Sequence, residues 1–546
     1  MEPDAEEPAP RLDPAGWLCQ RLSLVDKAAQ VVFAPVAGSP SERPDIDIER
    51  TRDLVTRRRV GGLVCFGGSV FETPSLLNAL QQVSQVPLLV ASDMEAGAGR
   101  QIRGATEFPP LMAVGATGSA ALAERMGEVT AREAVALGIP WVLAPVLDVN
   151  SRPENPIINT RAFSDRPEVV ATLGKAFLAG LRAGGAIGCA KHFPGHGDSV
   201  LDSHLTLPRI DAAAADLEGR ELVPFRAAVE AGADCVMTAH LLVPSIDADR
   251  PASLSPRVTT GLLRERLGYG GGIATDALMM GAIAEKWGPG EAAVLALEAG
   301  ADVALYPADV EAAIDAIVEA VSTGRLPEAS LNRALRRVLG WKERVGLFRE
   351  RIAIAEEIGE VVGRAAHKAI ADEIAQRSLV RVRDDAKALP VRPGKRERLT
   401  LFWVCEKTPE SDPPLVSLLR ETHKRLEWFD VPIDARVMSL APLLQEVRPS
   451  DRVVVAIDVR VRAFRGSVGL PPEVAVWIEE VARRAKRTVV ASLGSPYFAR
   501  QFRSVPCFVC AWSACEASQR ALAAALAGTA GDDVAANWPG TMPVTP

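Results

Sequence analysis

Residues 186–204 read Ala-Ile-Gly-Cys-Ala-Lys-His-Phe-Pro-Gly-His-Gly-Asp-Ser-Val-Leu-Asp-Ser-His, an apolar run followed by a loop rich in titratable groups. Three of the six histidines in the 546-residue chain fall between Lys191 and His204. Pro194 and the glycines after it stop the strand or helix pattern, because proline fixes φ and glycine adopts conformations closed to other residues. We therefore predict a strand that ends in a loop whose side chains are placed for chemistry.

Short β-type runs alternate with helical stretches through the first two thirds of the chain. We predict eight strands, at 30–36, 61–66, 87–92, 141–149, 186–191, 234–240, 271–276 and 302–306. Between them lie Ala- and Leu-rich segments with apolar residues at i, i+3 and i+4, such as Ala120–Leu137. Continuously apolar strands that alternate with helices are typical of a parallel sheet covered on both faces. Eight such units predict an α/β fold, a (β/α)8 TIM barrel.

Polar residues follow five of these eight strands. They are Asp93 and Glu95 after the third, Asp148 and Asn150 after the fourth, the 191–204 loop after the fifth, His240 after the sixth and Asp276 after the seventh. Each alone has a structural interpretation as a hydrogen-bonded buried group. Together they predict an active site, because the C-terminal strand ends of such a barrel form one mouth.

A second α/β rhythm begins after the barrel pattern stops. We predict a disordered leader at 1–14, the catalytic barrel at 15–350, a linker and helix at 351–375, and a smaller α/β sandwich domain at 376–546. Predicted strands at 399–405, 453–459, 488–493 and 507–512 indicate a small parallel sheet with few convergent titratable residues. We therefore assign the C-terminal domain a supporting role.

Composition narrows the class of protein. A net charge of -7 without a basic stripe argues against a nucleic-acid partner. No apolar run reaches the roughly 20 residues of a membrane-spanning helix. The eight cysteines are scattered, and Cys65, Cys189 and Cys235 lie in apolar runs that predict buried free thiols. These features favour a cytoplasmic location.

The chemistry of two segments fits glycoside cleavage. Asp276 ends an apolar strand, where a carboxylate can attack an anomeric carbon. Asp202 and His204 suit the proton donor, because a carboxylate orients an imidazole and holds its proton. The alternative for Asp202 and His204 is a hydrogen bond that stabilises the loop.

Several segments together resemble glycoside hydrolase family 3, in its bacterial β-N-acetylglucosaminidase branch. They are Lys191–Asp198 closed by Asp202–His204, Asp148–Asn150, Asn155–Phe163, Thr275–Leu278 and the opening helix Leu22–Gln30. The resemblance implies a retaining hydrolase that releases β-linked N-acetylglucosamine, or a related β-hexose, from the non-reducing end of glycans such as cell-wall fragments. It would act by double displacement through a glycosyl-enzyme, in peptidoglycan recycling for example.

The resemblance also implies roles for single residues. Asp276 would be the nucleophile and His204 the acid/base, assisted by Asp202. The implied sugar contacts are Asp93, Arg103, Arg161, Lys191 and His192. The resemblance implies no metal or cofactor, and it implies a small carbohydrate as the substrate. The family's Asp-x-Glu-Gly-Gly-Arg pattern is longer here, which leaves Arg100 as an alternative to Arg103.

Three other functions remain open at this point. A metal-dependent barrel hydrolase would draw its ligands from His192, His196, Asp198, His204 and His240. A sugar-binding protein would bind glycans without turnover. A β-N-acetylglucosaminide phosphorylase is also consistent, because a histidine donor does not repel incoming phosphate. The sequence leaves the acceptor, water or phosphate, and the oligomeric state open.

Overall fold

The computed structural model of the protein describes residues 13–202, 206–392, 397–459, 468–485, 487–529 and 537–546. The strands of its first sheet are β1 (Val32–Ala37), β2 (Gly62–Phe66), β3 (Leu89–Ser92), β4 (Trp141–Val142), β5 (Ile187–Phe193), β6 (Cys235–Thr238), β7 (Gly272–Thr275) and β8 (Ala304–Leu305). They are parallel, in the order β7-β6-β5-β4-β3-β2-β1-β8, and a bridge from Ala274 to Val303 joins the two ends. The predicted (β/α)8 barrel is confirmed.

Helices cover the outside of the barrel, and this is why its strands are buried along their length. The α-helices are Pro14–Arg21, Leu24–Gln30, Ile48–Asp53, Glu72–Val83, Leu111–Thr117, Ala120–Ala136, Pro167–Ala183, Ala214–Asp216, Leu222–Glu230, Gly281–Trp287, Pro289–Ala299, Val310–Ser322 and Glu328–Arg344. Wider π-type turns occupy Leu54–Arg58, Leu217–Glu221 and Arg257–Arg266, and 3₁₀ turns occupy Ala98–Arg100, Asn159–Arg161 and Ala252–Leu254.

The fourth strand is shorter than predicted. The apolar run 141–149 pairs regularly only at Trp141–Val142, because Pro145 has no N–H to donate to a neighbouring strand. The rest of the run remains buried and carries Asp148 to the barrel mouth.

A second sheet follows. Its strands are β9 (Val380–Asp384), β10 (Leu399–Cys405), β11 (Leu426–Pro432), β12 (Arg452–Asp458), β13 (Arg487–Ser492) and β14 (Cys507–Cys510), in the order β11-β10-β12-β13-β14-β9. The helices around it are Ala355–Val361, Ala365–Ser378, Pro414–Thr422, Val437–Gln445, Pro472–Arg484 and Glu516–Ala527, with a 3₁₀ turn at Pro496–Arg500. The predicted α/β sandwich domain after the barrel is therefore present.

Two edge strands of this sheet, β9 and β11, were not predicted. One of them, β9, makes the sheet mixed instead of parallel. β9 runs antiparallel to β14, so the sheet is mixed, and the prediction of a purely parallel sheet is wrong. Both β9 and β11 are only partly buried and carry charged residues, so neither shows the continuous apolar run by which the inner strands were recognised. Across the described ranges, the chain has no helix with the length and apolarity to cross a bilayer.

Candidate active site

A largely buried carboxylate, Glu95, whose side chain is 15% exposed, links the ends of three barrel strands. Its oxygens accept from Arg161 Nε at 2.9 Å, Arg161 Nη2 at 2.7 Å and Lys191 Nζ at 2.7 Å. Lys191 also donates to Asp93 Oδ1 at 2.6 Å. Burial alone would raise the pKa of Glu95, but the charges of Arg161 and Lys191 outweigh it and hold that pKa well below its usual range. The predicted sugar contacts Asp93, Arg161 and Lys191 thus form one charged cluster.

A second carboxylate, Asp148, binds His192 near the end of β5 and His196 in the loop that follows. Its Oδ2 accepts from the ring nitrogen Nδ1 of His192 at 2.6 Å, and its Oδ1 accepts from the backbone N–H of His196 at 2.6 Å. The other ring nitrogen of His192, Nε2, lies 3.5 Å from Arg161 Nη2, so His192 adjoins the Glu95 cluster. Burial lowers the pKa of His196 to about 4, although Asp148 and Asp276 favour its charged form. His196 is therefore a neutral residue at neutral pH.

The carboxylate at the end of β7 is held by its own loop. Asp276 N donates to Thr238 O at 2.9 Å, and Asp276 Oδ1 accepts from Ala277 N at 2.8 Å. His240 braces the same turn, with its Nε2 2.9 Å from Ala277 O and its Nδ1 2.8 Å from Ser253 Oγ. Because both ring nitrogens of His240 have protein partners, His240 is a structural support of the Asp276 loop.

Ion pairs and an amide fix the loop after β5. Asp198 pairs with Arg152 at 2.5 Å and with Arg220 at 3.0 Å, and Asn155 Nδ2 donates to His196 O and Gly197 O. Asp202, the predicted partner of the acid, is buried, and its carbonyl accepts from Thr206 N at 3.1 Å. The predicted acid/base His204 lies outside the described residues.

The two candidate arginines of the loop after β3 occupy different places. Arg103 is 68% exposed and pairs with Glu42 at 2.8 Å on the surface. Arg100 instead lines a cavity of about 300 Å³ at the barrel mouth, together with Asp93 and Arg161. The C-terminal domain closes the other side of this cavity with Leu493, Gly494, Trp512 and Ser513.

Three residues of this arrangement had no role assigned to them in the predicted glycoside hydrolase. Glu95 and Asp148 were recognised as polar strand ends, but their partners are far away in sequence and no local pattern indicates them. His196 was assigned only to the metal-dependent alternative. Over the described ranges, no group of three or more His, Cys, Asp or Glu side chains is arranged to hold a metal ion.

A (β/α)8 barrel with paired carboxylates and cations at its mouth has the layout of an enzyme that acts on polar small molecules. The N-terminal domain of glycosyl hydrolase family 3 matches residues 24–340, and the chain belongs to this family.

Individual relatives resemble the chain over different lengths. β-Hexosaminidase A of Pseudoalteromonas piscicida is 34% identical over an alignment of 374 residues that covers 62% of this chain and 62% of that protein. The chain thus spans less than two thirds of that relative. A family 3 β-N-acetylglucosaminidase from Paenibacillus sp. has a similar structure, with a TM-score of 0.85, 31% identity, and coverage of 96% of this chain and 99% of that one. A β-glucoside phosphorylase bound to 2FGlc also matches, with a TM-score of 0.86, 26% identity, and coverage of 97% and 96%.

Proposed function

We propose that the protein is a retaining β-N-acetylhexosaminidase. It releases β-linked N-acetylglucosamine, or a related β-hexose, from the non-reducing end of glycans such as the cell-wall fragments met in peptidoglycan recycling. The observation that carries this proposal is the charged cluster of Asp93, Glu95, Arg161 and Lys191 at the mouth of a family 3 barrel. The β-hexosaminidase and β-N-acetylglucosaminidase relatives support the choice of sugar.

The cluster suits a ring of hydroxyl groups. Asp93 accepts hydrogen bonds from vicinal hydroxyls, whereas Lys191 and Arg161 donate to sugar oxygens without competing as nucleophiles. Glu95 holds the two cations in place, so that little ordering is needed when the sugar binds. For the remaining contact we now favour Arg100 over Arg103, because Arg100 shares the cavity of Asp93 and Arg161.

The reaction needs a nucleophile and a proton donor. Asp276 attacks the anomeric carbon and forms a glycosyl-enzyme, while His204, assisted by Asp202, protonates the leaving oxygen. His204 then activates the water that releases the sugar with retained configuration. The chain's own side chains supply each of these steps, with no cofactor.

The division of labour along the chain follows from this site. Residues 15–350 would form the catalytic unit, 351–375 the connection and 376–546 the supporting domain. Residues 1–12 of the predicted leader 1–14 lie outside the described residues. The eight free thiols are all buried, which is consistent with a cytoplasmic enzyme.

Turnover of 4-nitrophenyl β-N-acetylglucosaminide and β-glucoside, with and without phosphate, tests the proposal. We expect the N-acetylglucosaminide to be hydrolysed at a rate that phosphate does not change. Phosphate-dependent formation of a sugar 1-phosphate would identify a phosphorylase instead. Binding of N-acetylglucosamine without any turnover would identify a binding protein.

A further inference from the structure

A hydroxyl of the C-terminal domain reaches the loop that follows β4. Tyr497 lies in the 3₁₀ turn Pro496–Arg500, just after β13, and its side chain is buried. Asn150, two residues beyond Asp148, donates from Nδ2 to the Tyr497 hydroxyl oxygen at 2.8 Å. The two residues are 347 positions apart in the chain, so this hydrogen bond joins the two domains.

The same amide holds the residue that begins the Arg161 turn. Asn150 Oδ1 accepts from the Asn159 N–H at 2.9 Å. Asn159 is fully buried and adopts a left-handed conformation with φ 44°, which asparagine tolerates better than most residues. The 3₁₀ turn Asn159–Arg161 begins at Asn159 and ends at Arg161, whose guanidinium pairs with Glu95. Two hydrogen bonds and the backbone of the turn Asn159–Arg161 therefore connect Tyr497 to Arg161, and we call this path the Tyr497 relay.

The C-terminal tail holds the other end of this segment. Ser164 donates its hydroxyl to Pro543 O, and Thr545 N donates to Asp165 Oδ2 at 2.8 Å. Ser164 O in turn accepts from Asn150 N at 3.0 Å, so the two ends of the loop are tied together. The C-terminal domain thus contacts the segment 150–165 at both ends, and this segment carries a cation of the candidate site.

We propose that Tyr497 is a positioning residue for sugar binding: the C-terminal domain fixes Asn150 and, through the Tyr497 relay, the place of Arg161. This rests on the proposed function of the barrel mouth as a sugar site. The second domain would then contribute to catalysis by ordering a barrel loop before the substrate arrives, since a site loosened by even a fraction of an ångström loses much of its effect.

Tyr497→Phe in the full-length protein tests the proposal, with Tyr269→Phe as its matched control. Tyr269 is also buried. Its hydroxyl lies within donating distance of two carbonyl oxygens, Ala233 O at 3.2 Å and Gly272 O at 3.0 Å, at the opposite end of β7 from Asp276. Each variant removes one buried hydroxyl from an otherwise unchanged ring. We expect Tyr497→Phe to raise the dissociation constant of N-acetylglucosamine and KM by about fivefold to a hundredfold, the effect of an unpaired buried amide. Tyr269→Phe should change both by less than about twofold.

Two results of the affinity and KM measurements would overturn the proposal. One is unchanged sugar affinity in Tyr497→Phe, and the other is an equal loss in Tyr269→Phe, which would point to general destabilisation. A crystal structure of Tyr497→Phe gives a readout that is independent of turnover. It should show Arg161 displaced from its two-pronged contact with Glu95, even if the protein proved to cleave no glycoside; an undisturbed Arg161 would end the proposal.

Discussion

Replacing Glu95 with glutamine removes the negative charge that lies between two cations. Lys191 is 2% exposed and keeps Asp93 as a partner, whereas the Arg161 side chain is 26% exposed and loses its two-pronged contact. Removing one partner of a fully buried ion pair costs about 3–5 kcal/mol, because the other charge is left uncompensated. Asp93 and the partial solvation of Arg161 reduce this cost, so we expect about 3 kcal/mol.

This free energy is divided between folding and catalysis. If all of it were lost from the sugar-bound transition state, kcat/KM would fall by about a hundredfold, at 1.4 kcal/mol for each factor of ten. The part lost from folding has a defined pH dependence. The pKa of Glu95 is lower in the folded protein, so its stabilisation is complete above the unfolded value of about 4.5 and is lost as the pH falls below it.

Steady-state kinetics on 4-nitrophenyl β-N-acetylglucosaminide and urea denaturation at pH 7 and pH 4 measure both parts. Glu107→Gln is the matched control, because Glu107 lines the same cavity but is 36% exposed and lies 3.7 Å from Arg100. A surface pair of this kind contributes at most about 1 kcal/mol. The reasoning fails if the two variants behave alike, or if the stability gap between wild type and Glu95→Gln is as large at pH 4 as at pH 7.

Three further predictions concern other titratable groups. His204→Ala should lose about a hundredfold or more in turnover of alkyl glycosides but much less on activated aryl glycosides, because the aryl oxygen leaves without being protonated. Equal losses on the two substrates in parallel assays would contradict the role of His204 as the general acid. Burial raises the pKa of Glu221 to about 7 despite its hydrogen bond from Arg220, so the wild type loses stability as the pH rises from 4.5 to 7. Relative to the wild type, Glu221→Gln should therefore gain about 3 kcal/mol in free energy of unfolding over that range, measured by denaturant titration. A difference in unfolding free energy that does not change with pH would refute this. Burial lowers the pKa of Lys342 to about 7, and its Nζ donates to Gln30. Lys342→Met should therefore be about 2 kcal/mol more stable to unfolding than the wild type at pH 7, and this gain should vanish towards pH 10, where the unfolded lysine also loses its proton. A difference in melting temperature that does not change with pH would contradict this.

The barrel was predictable because its signal repeats. Each inner strand is covered on both faces and reads as a continuous apolar run, and the active-site residues follow these runs directly. Asp93, Lys191, His192 and Asp276 could be assigned to one mouth for this reason, without knowing any contact between them. The edge strands β9 and β11 were not predicted by the same reasoning because they are partly exposed to solvent and lack a continuous apolar run.

Contacts between distant segments could not be predicted. Nothing near Glu95 in the sequence indicates that it binds Arg161 and Lys191, and nothing near Asn150 indicates Tyr497. The extra residues between Asp93 and Arg103 illustrate the same limit. They form the short turn Ala98–Arg100, which brings Arg100 into the cavity and leaves Arg103 beside Glu42, and only the folded loop shows which arginine lines the cavity.

Covalent labelling tests the proposed mechanism most directly. A 2-deoxy-2-fluoro glycosyl donor with a good leaving group slows both steps of double displacement and allows the glycosyl-enzyme to accumulate. Peptide mass spectrometry should find the sugar on Asp276 in the wild type and no label in Asp276→Asn, which keeps the shape of the side chain but is a poor nucleophile. A label on another carboxylate, or a product of inverted configuration by proton NMR, would contradict the assignment of Asp276.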